Sequence, residues 1–491
     1  MKEVIDQSIT LQYKVELAIA GMEDGPPSHV TTAERLQHLR KYSDSWAGAQ
    51  FGSVEKLHCG RGPMLRLSGN VLGRCFDSST LVFNILPGHA RGVNAREWRY
   101  DDIGFMIKDY AIDVGQDLLV ILSRAPSQDR AAGNHEEQMI YFLSLSTGKA
   151  HPQAVHSSTP LPYGVDTRDR CQLRLSGAFV GAMIPNALGE HRTEPHLVVW
   201  SWKEGTVRMW LSGASRIEDF TFGDGFLLTT VLPWEGGKPR LEAYNIDKRS
   251  ACTKPIPWTG EMPCYTFQYP LYEEHLLMME LETIPSVASL PESEDAALFR
   301  GAPTDVYFLV QMYHERGSFE EQHDFRVTHV IPAAELTSRI RQTLGQPDPI
   351  RVCPWEEWGS NTVMTGPVYN YFPSRRMQSV ACQRFIDWFN PIDRIMDSYT
   401  VMDNTVTLFD FRVHRIQRGL QGGRMKAHVA MDPDETFWVN HSMFLPCAKR
   451  TFSLPPAIRR PRGCLELAVT ADNIVVYNDS TGNGLCYVLS I

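Results

Sequence analysis

Asp113-Val114-Gly115-Gln116-Asp117-Leu118-Leu119-Val120-Ile121-Leu122 sets a short turn bearing Asp and Gly against an apolar strand. Asp, Asn and Gly suit tight hairpins because they tolerate positive φ or bond their own backbone. The same word recurs as Gly223-Asp224-Gly225 before Phe226 to Leu232, Met402-Asp403-Asn404 before Thr405 to Phe411, and Ala471-Asp472-Asn473 before Ile474 to Tyr477. A second kind of strand ends in a polar turn: Tyr141 to Gly148, Leu197 to Trp202 before Lys203-Glu204-Gly205, and Leu241 to Ile246 before Asp247-Lys248. Val198, Trp200 and Trp202 fall on one side of their strand and Leu197 and Val199 on the other. Strands apolar on both faces fit blades stacked between neighbours rather than a sheet with one wet face. The pattern predicts a mainly β, β-propeller-like fold. Units near 64–98, 105–150, 170–211, 216–250, 265–335, 360–412 and 425–491 give about seven blades, with six or eight also fitting the count. Such a fold displays surfaces and does not specify a reaction.

Outward from these strands, the first ~50 residues read differently. Val4 to Met22 has helical spacing, with Ile5, Ile9, Val15 and Ile19 and neighbouring Leu11, Tyr13 and Leu17 making a broad apolar stripe, and Gly21 then Gly25-Pro26-Pro27 stopping it. Thr31-Thr32-Ala33-Glu34 fits a capping box, after which Leu36, Leu39 and Tyr42 share a face and Trp46 follows. Helices this apolar must dock. The expected docking residues are Ile9, Tyr13, Leu17, Leu36 and Trp46, against the propeller's outer wall. The expected domains are therefore a helical segment over 1–50 and a propeller-like domain over 64–491. One further helix is expected from Pro332 to Leu344, and the connection from Pro285 to Thr304 reads as mobile.

Apolar residues make up 43% of the 491-residue chain and charged residues 21%, the balance of a folded globular protein. A net charge of -9 argues against nucleic acid as the main partner, because phosphate recognition needs clustered Lys and Arg. No apolar stretch approaches the length of a membrane span, so no membrane partner is expected. The first twenty residues carry Lys2, Glu3, Asp6, Lys14 and Glu16 where a secretory segment would be apolar. The ten cysteines include no CxxC pair, and several sit within apolar strands. Free, buried thiols in a reducing compartment, cytoplasm and/or nucleus, follow from that usage.

Local signals for chemistry are few. HExxH, HxH, GxSxG, GxGxxG and the P-loop are all missing from the sequence, so no metal, cofactor or catalytic residue is assigned. The densest His/Glu cluster, Gly189 to His196, reads as a solvated loop containing Pro195. Trp355-Glu356-Glu357-Trp358-Gly359 is the most aromatic stretch; Trp355 and Trp358 could clasp a ligand, although such pairs more often plug a loop against a sheet edge. Arg459, Arg460 and Arg462, with Lys449 and Arg450 upstream, could form a basic partner patch or an import signal, or else a solvated loop.

Ile9 to Leu17, then Ala20-Gly21-Met22-Glu23-Asp24-Gly25-Pro26, Glu34-Arg35-Leu36 and Trp46, resemble the segment just after the F-box in basidiomycete (mushroom-type) F-box proteins. Asp109 to Leu122, Leu143 to Pro152, Leu197 to Gly205, Trp358-Gly359 and Val406 to Phe411 resemble the same family, so the likeness spans nearly the whole chain as short motifs. The resemblance implies a Skp-type adaptor on the F-box and a receptor region that captures a ubiquitination target. The chain begins at or beyond the last F-box helix, so the F-box itself is expected to be missing or truncated. The expected function is a non-catalytic protein-interaction module, a substrate receptor of a cullin-type ubiquitin ligase or a remnant of one. The alternative is a propeller enzyme, lactonase-like or quinoprotein-like, acting at the central channel. A single short helix cannot bury the roughly 1,200 Å² of a stable interface, so adaptor binding is expected only where an F-box lies upstream.

Overall fold

The computed structural model describes residues 2–59, 64–123, 138–161, 171–186, 193–212, 217–232, 237–247, 249–254, 256–257, 263–270, 275–284, 297–301, 307–315, 325–343, 351–369, 380–381, 384–388, 405–410, 448–456, 458, 465–478 and 484–491. Among the described residues, seven antiparallel meanders of four strands each follow one another along the chain, two of them extended by a short fifth, parallel strand. The fold is a β-propeller. The first blade is Met64–Ser68, Val71–Cys75, Leu81–Ile85 and Arg96–Tyr100. The seventh is Leu465–Val469, Asn473–Asn478 and Leu485–Ser490, completed on its outer edge by Ser53–His58 from the other end of the chain. That seam joins the two ends of the chain in one sheet.

Strand Ser53–His58 lies before residue 64, where the sequence pattern places the start of the propeller. Only two of its six residues are even partly shielded from solvent. An outermost strand with a wet surface carries no apolar alternation to read. The later unit boundaries also shift. Tyr265–Gln268 closes the fourth blade instead of opening the fifth, Val363–Tyr369 closes the fifth, and Ala448–Ser453 closes the sixth. Which sheet an outer strand joins is a long-range choice that local pattern does not carry.

Blades one to four contain the same device twice. Arg66 on the first strand of blade one lies opposite Gly73 and pairs with Asp109 on the first strand of blade two. Arg174 on the first strand of blade three lies opposite Gly181 and pairs with Asp219 on the first strand of blade four, with both carboxylate oxygens at 3.1 Å. Each Asp sits just after a break in register, which turns its carboxylate back to accept the next backbone N–H at 2.8 Å. Each Arg lies 5.8 Å from the following ring, Tyr110 or Phe220. The glycines make room for those rings: a Cβ on Gly181 would stand 2.4 Å from Phe220, and one on Gly73 would stand 3.0 Å from Tyr110. Asp219 also reaches a third blade, accepting from the Leu281 N–H at 2.6 Å.

Candidate interaction surface

Ser8 separates two N-terminal helices, Lys2–Gln7 and Ile9–Ala20, where one continuous helix was expected; its hydroxyl caps the second by accepting from the Leu11 N–H. Gly21, with φ 61°, ends that helix and turns the chain into the short strand Met22–Asp24. The third helix, Thr32–Gly48, starts in the expected capping box between Thr31 and Glu34. Tyr13, Leu17, Leu36 and Trp46 are buried together with Leu39 and Tyr42 against residues of blades six and seven. Ile9 is not among them and stands 49% exposed. It is the first residue of its helix, a full turn before Tyr13, and the docked face begins only there.

The helices are also fixed by polar contacts. Met22–Asp24 pairs with Phe299–Gly301, which lies inside the long connection between the first two strands of blade five. That part of the connection, expected to be mobile, is a strand with Phe299 fully buried; residues 285–296 lie outside the described residues. Asp24 accepts from the Tyr13 hydroxyl at 2.8 Å and from Arg35 at 2.6 Å, and Arg35 also donates to the carbonyls of Leu298 and Pro26 at 2.9 and 2.5 Å. Burial, with the Asp24 carboxylate beside it, pushes the Tyr13 phenol up, so it stays a neutral donor. Tyr42 and Trp46 donate to the Ala471 carbonyl at 2.7 and 3.1 Å, and Arg384 of blade six lies 3.9 Å above the Trp46 ring. Below them Arg91 makes a two-pronged pair with Asp472 at 2.7 and 2.5 Å, both side chains buried, and Asn70 donates to the same carboxylate at 2.6 Å.

These contacts define an end of the propeller. Ala471 lies in a first-to-second strand turn, Arg91 in a third-to-fourth strand connection, and Phe299 in another first-to-second connection. In an antiparallel meander both kinds of connection emerge at the same end. The helices therefore cover that end. The second-to-third strand connections open at the other.

The helix Ile9–Ala20 is apolar on both sides. Tyr13, Leu17 and Ala20 are buried; Leu11 and Val15, one turn apart, are 38% and 41% exposed, and Ala18 continues their line. The two rows are offset by two residues, about 200° around the helix. Val4 and Ile9 add exposed apolar surface at the same end.

The other sequence candidates fall elsewhere. Trp355 and Trp358 are 3% and 0% exposed, stacked among Tyr269, Phe267 and His329, and the Trp358 indole donates to the Gln268 carbonyl at 3.1 Å. They seal blade four against blade five, so a direct binding role for them is corrected to packing; only Glu356 and Glu357 between them face out. Arg459, Arg460 and Arg462 lie outside the described residues. His196, expected in a solvated loop, is part of strand Thr193–Ser201 and accepts from the Trp210 indole at 3.2 Å. Among the described residues no group of three His, Cys, Asp or Glu could hold a metal ion, and no helix is long and apolar enough to cross a membrane.

No family model and no curated protein matches this chain. Among solved structures it is similar to the WD40 domain of SCAP from fission yeast, at 9% identity and a TM-score of 0.37, covering 90% of this chain and 95% of that one. It is also similar to AztD from Citrobacter koseri, at 9% identity and a TM-score of 0.31 over 85% and 80% of the two chains. The β-propeller domain of the Trilobed protease from Pyrococcus furiosus gives 11% identity and a TM-score of 0.31 over 78% and 93%. Scores this low leave the fold to be argued from the chain itself.

Proposed function

We propose that this chain is a non-catalytic interaction module that works as a receptor: one end is an assembly platform and the other receives a target. The observation that carries the reading is the second apolar row of the helix Ile9–Ala20, Leu11 and Val15, left exposed on a helix whose opposite side is anchored. A helix with apolar rows on opposite sides normally buries both. The anchoring by Arg35, Asp24 and Leu298 fixes the direction in which that row faces.

The resemblance to basidiomycete F-box proteins supports a specific occupant. The residues that carry it, Ile9 to Leu17 and Ala20 to Pro26, are the helix and strand of the platform. An F-box, where one lies upstream, would pack on the Leu11–Val15 row and hold a Skp-type adaptor beyond it. The target would then be met at the uncovered end, opposite the one that the helices cover. The clearest inner-strand carboxylates, Asp109 and Asp219, are engaged in pairs with Arg66 and Arg174, which supports binding over acid–base chemistry at the ring's centre.

Proximity labelling in the source cell tests the reading. In the chain extended upstream by an F-box, Leu11→Arg with Val15→Glu should remove adaptor and ligase neighbours while the melting temperature stays within about 1 °C of the extended parent, since exposed substitutions change stability little. An unchanged neighbour set in the variant would sink the platform assignment.

A further inference from the structure

The seam that closes the ring holds two thiols on one face of adjacent strands. Ser53–His58 pairs with Leu485–Ser490 from Ser53 opposite Ser490 to His58 opposite Leu485. Cys59 continues that pairing, its N–H donating to the Gly484 carbonyl at 2.9 Å. It is thus the diagonal neighbour of Cys486, whose direct partner is Leu57. Alternate residues of a strand share a face, so Leu57, Cys59 and Cys486 lie on one side. Both cysteines are 0% exposed, among Leu65, Leu72, Val475 and Val488. The Cys59 thiol donates to the Leu57 carbonyl at 3.6 Å, on the side of the strand pair that also carries Cys486.

The surroundings also favour ionisation of one of them. The neighbouring Cys486 holds the Cys59 thiol below its ordinary pKa; burial opposes this, and the charge of Arg74 assists it. Arg74 is itself buried and is held by the His58 carbonyl and by Asn84 and Glu97 of blade one. A thiol biased toward thiolate, with a second thiol beside it on the same face, is the arrangement in which a mild oxidant yields a disulfide.

We propose that Cys59 and Cys486 are a redox-modification site: a peroxide oxidises them to a disulfide that locks the closing seam. The Cys59 thiolate attacks one oxygen of hydrogen peroxide, the O–O bond breaks, and hydroxide leaves with Cys59 as the sulfenic acid. The Cys486 sulfur then attacks the Cys59 sulfur, the S–O bond breaks, and the second oxygen leaves as water. Two thiols and one peroxide give one disulfide and two waters. Peroxide is small enough to reach a buried strand end when it frays. The bond would close a loop over all seven blades, the case in which a crosslink restricts the unfolded chain most. It would also tie the platform to the ring, because the helix Thr32–Gly48 leads through Phe51 directly into the closing strand.

The test uses the whole chain, freed of reductant and treated with hydrogen peroxide, then alkylated and digested without reduction. Mass spectrometry should find the Cys59 and Cys486 peptides joined, lighter by two hydrogens than their sum, and dithiothreitol should separate them. The melting temperature should rise by about 4 °C on oxidation, and Cys486→Ser should abolish the rise. Absence of the joined peptide at a dose that oxidises the partly exposed Cys252 would overturn the proposal. So would a joined peptide that forms only after urea unfolding, or one linking Cys59 to a different cysteine. The peptide map of the parent protein decides the matter even where a serine variant fails to fold.

Discussion

The ring and the platform treat their side chains in opposite ways. In the ring, charged groups are taken inside and matched: Arg66 with Asp109, Arg174 with Asp219, and Arg91 with Asp472 at the boundary. On the platform, apolar groups are left outside: Leu11 and Val15 stand in water on a helix whose other side is core. Removing one member of a buried pair strands the other, whereas removing an exposed apolar side chain costs the fold almost nothing. The ring's residues are therefore read as architecture, and the platform's outer row is the surface we propose for a partner.

The comparison breaks most visibly at Asp472. Asp472→Ala removes the carboxylate that holds Arg91, 1% exposed, in a two-pronged pair, and should lower stability by about 4 kcal/mol, read by urea unfolding. The two blade-to-blade pairs should then differ from each other. Asp219 accepts from Arg174, from Gln172 at 2.7 Å and from two backbone N–H groups. Asp109 has Met64 where Gln172 would stand, and burial pushes its pKa up despite Arg66. Asp219→Asn is expected to cost about 3 kcal/mol and Asp109→Asn about 1 kcal/mol; equal losses would show that the repeat is equally loaded in both copies.

Acid should attack the ring rather than the platform. Burial holds His329, bonded to Tyr269 and Thr362 at 2.7 Å each, down to about 3, and His314 down to about 4. Unfolding restores an ordinary imidazole, so the unfolded chain binds more protons below about pH 6.5 and stability is lost as pH falls from there toward 4. At pH 5 each histidine accounts for about 2 kcal/mol. Denaturant titrations at pH 7 and 5, followed by tryptophan fluorescence near Trp355 and Trp358, measure the loss. A flat profile would mean that these rings are protonated in the fold.

The repeated turns and apolar strands made the propeller legible, and Asp117 does adopt the positive φ, 52°, that its turn requires. The capping box at Thr31 and the helix with Leu336 and Ile340 buried, Ala333–Thr343, were equally readable, because each is a local pattern. Asp472 was legible as a turn residue but not as the partner of Arg91, which is distant in the chain. The closing strand Ser53–His58 was missed because its signal is its partner, not its composition. For the candidate surface, the sequence showed that the helix was broadly apolar. It could not show which row would be buried, since that depends on where the strand Met22–Asp24 and the turn at Ala471 hold the platform.

The most direct measurement is amide hydrogen exchange over residues 9–20, on this chain mixed with a Skp-type adaptor and on the chain extended upstream by an F-box. The account predicts no stoichiometric complex and unchanged exchange for the 491-residue chain. For the extended chain with adaptor, it predicts slower exchange across the Leu11 to Val15 turn and co-purification at equal yield. A stoichiometric complex of the unextended chain, or an extended complex in which residues 9–20 exchange as before, would contradict it.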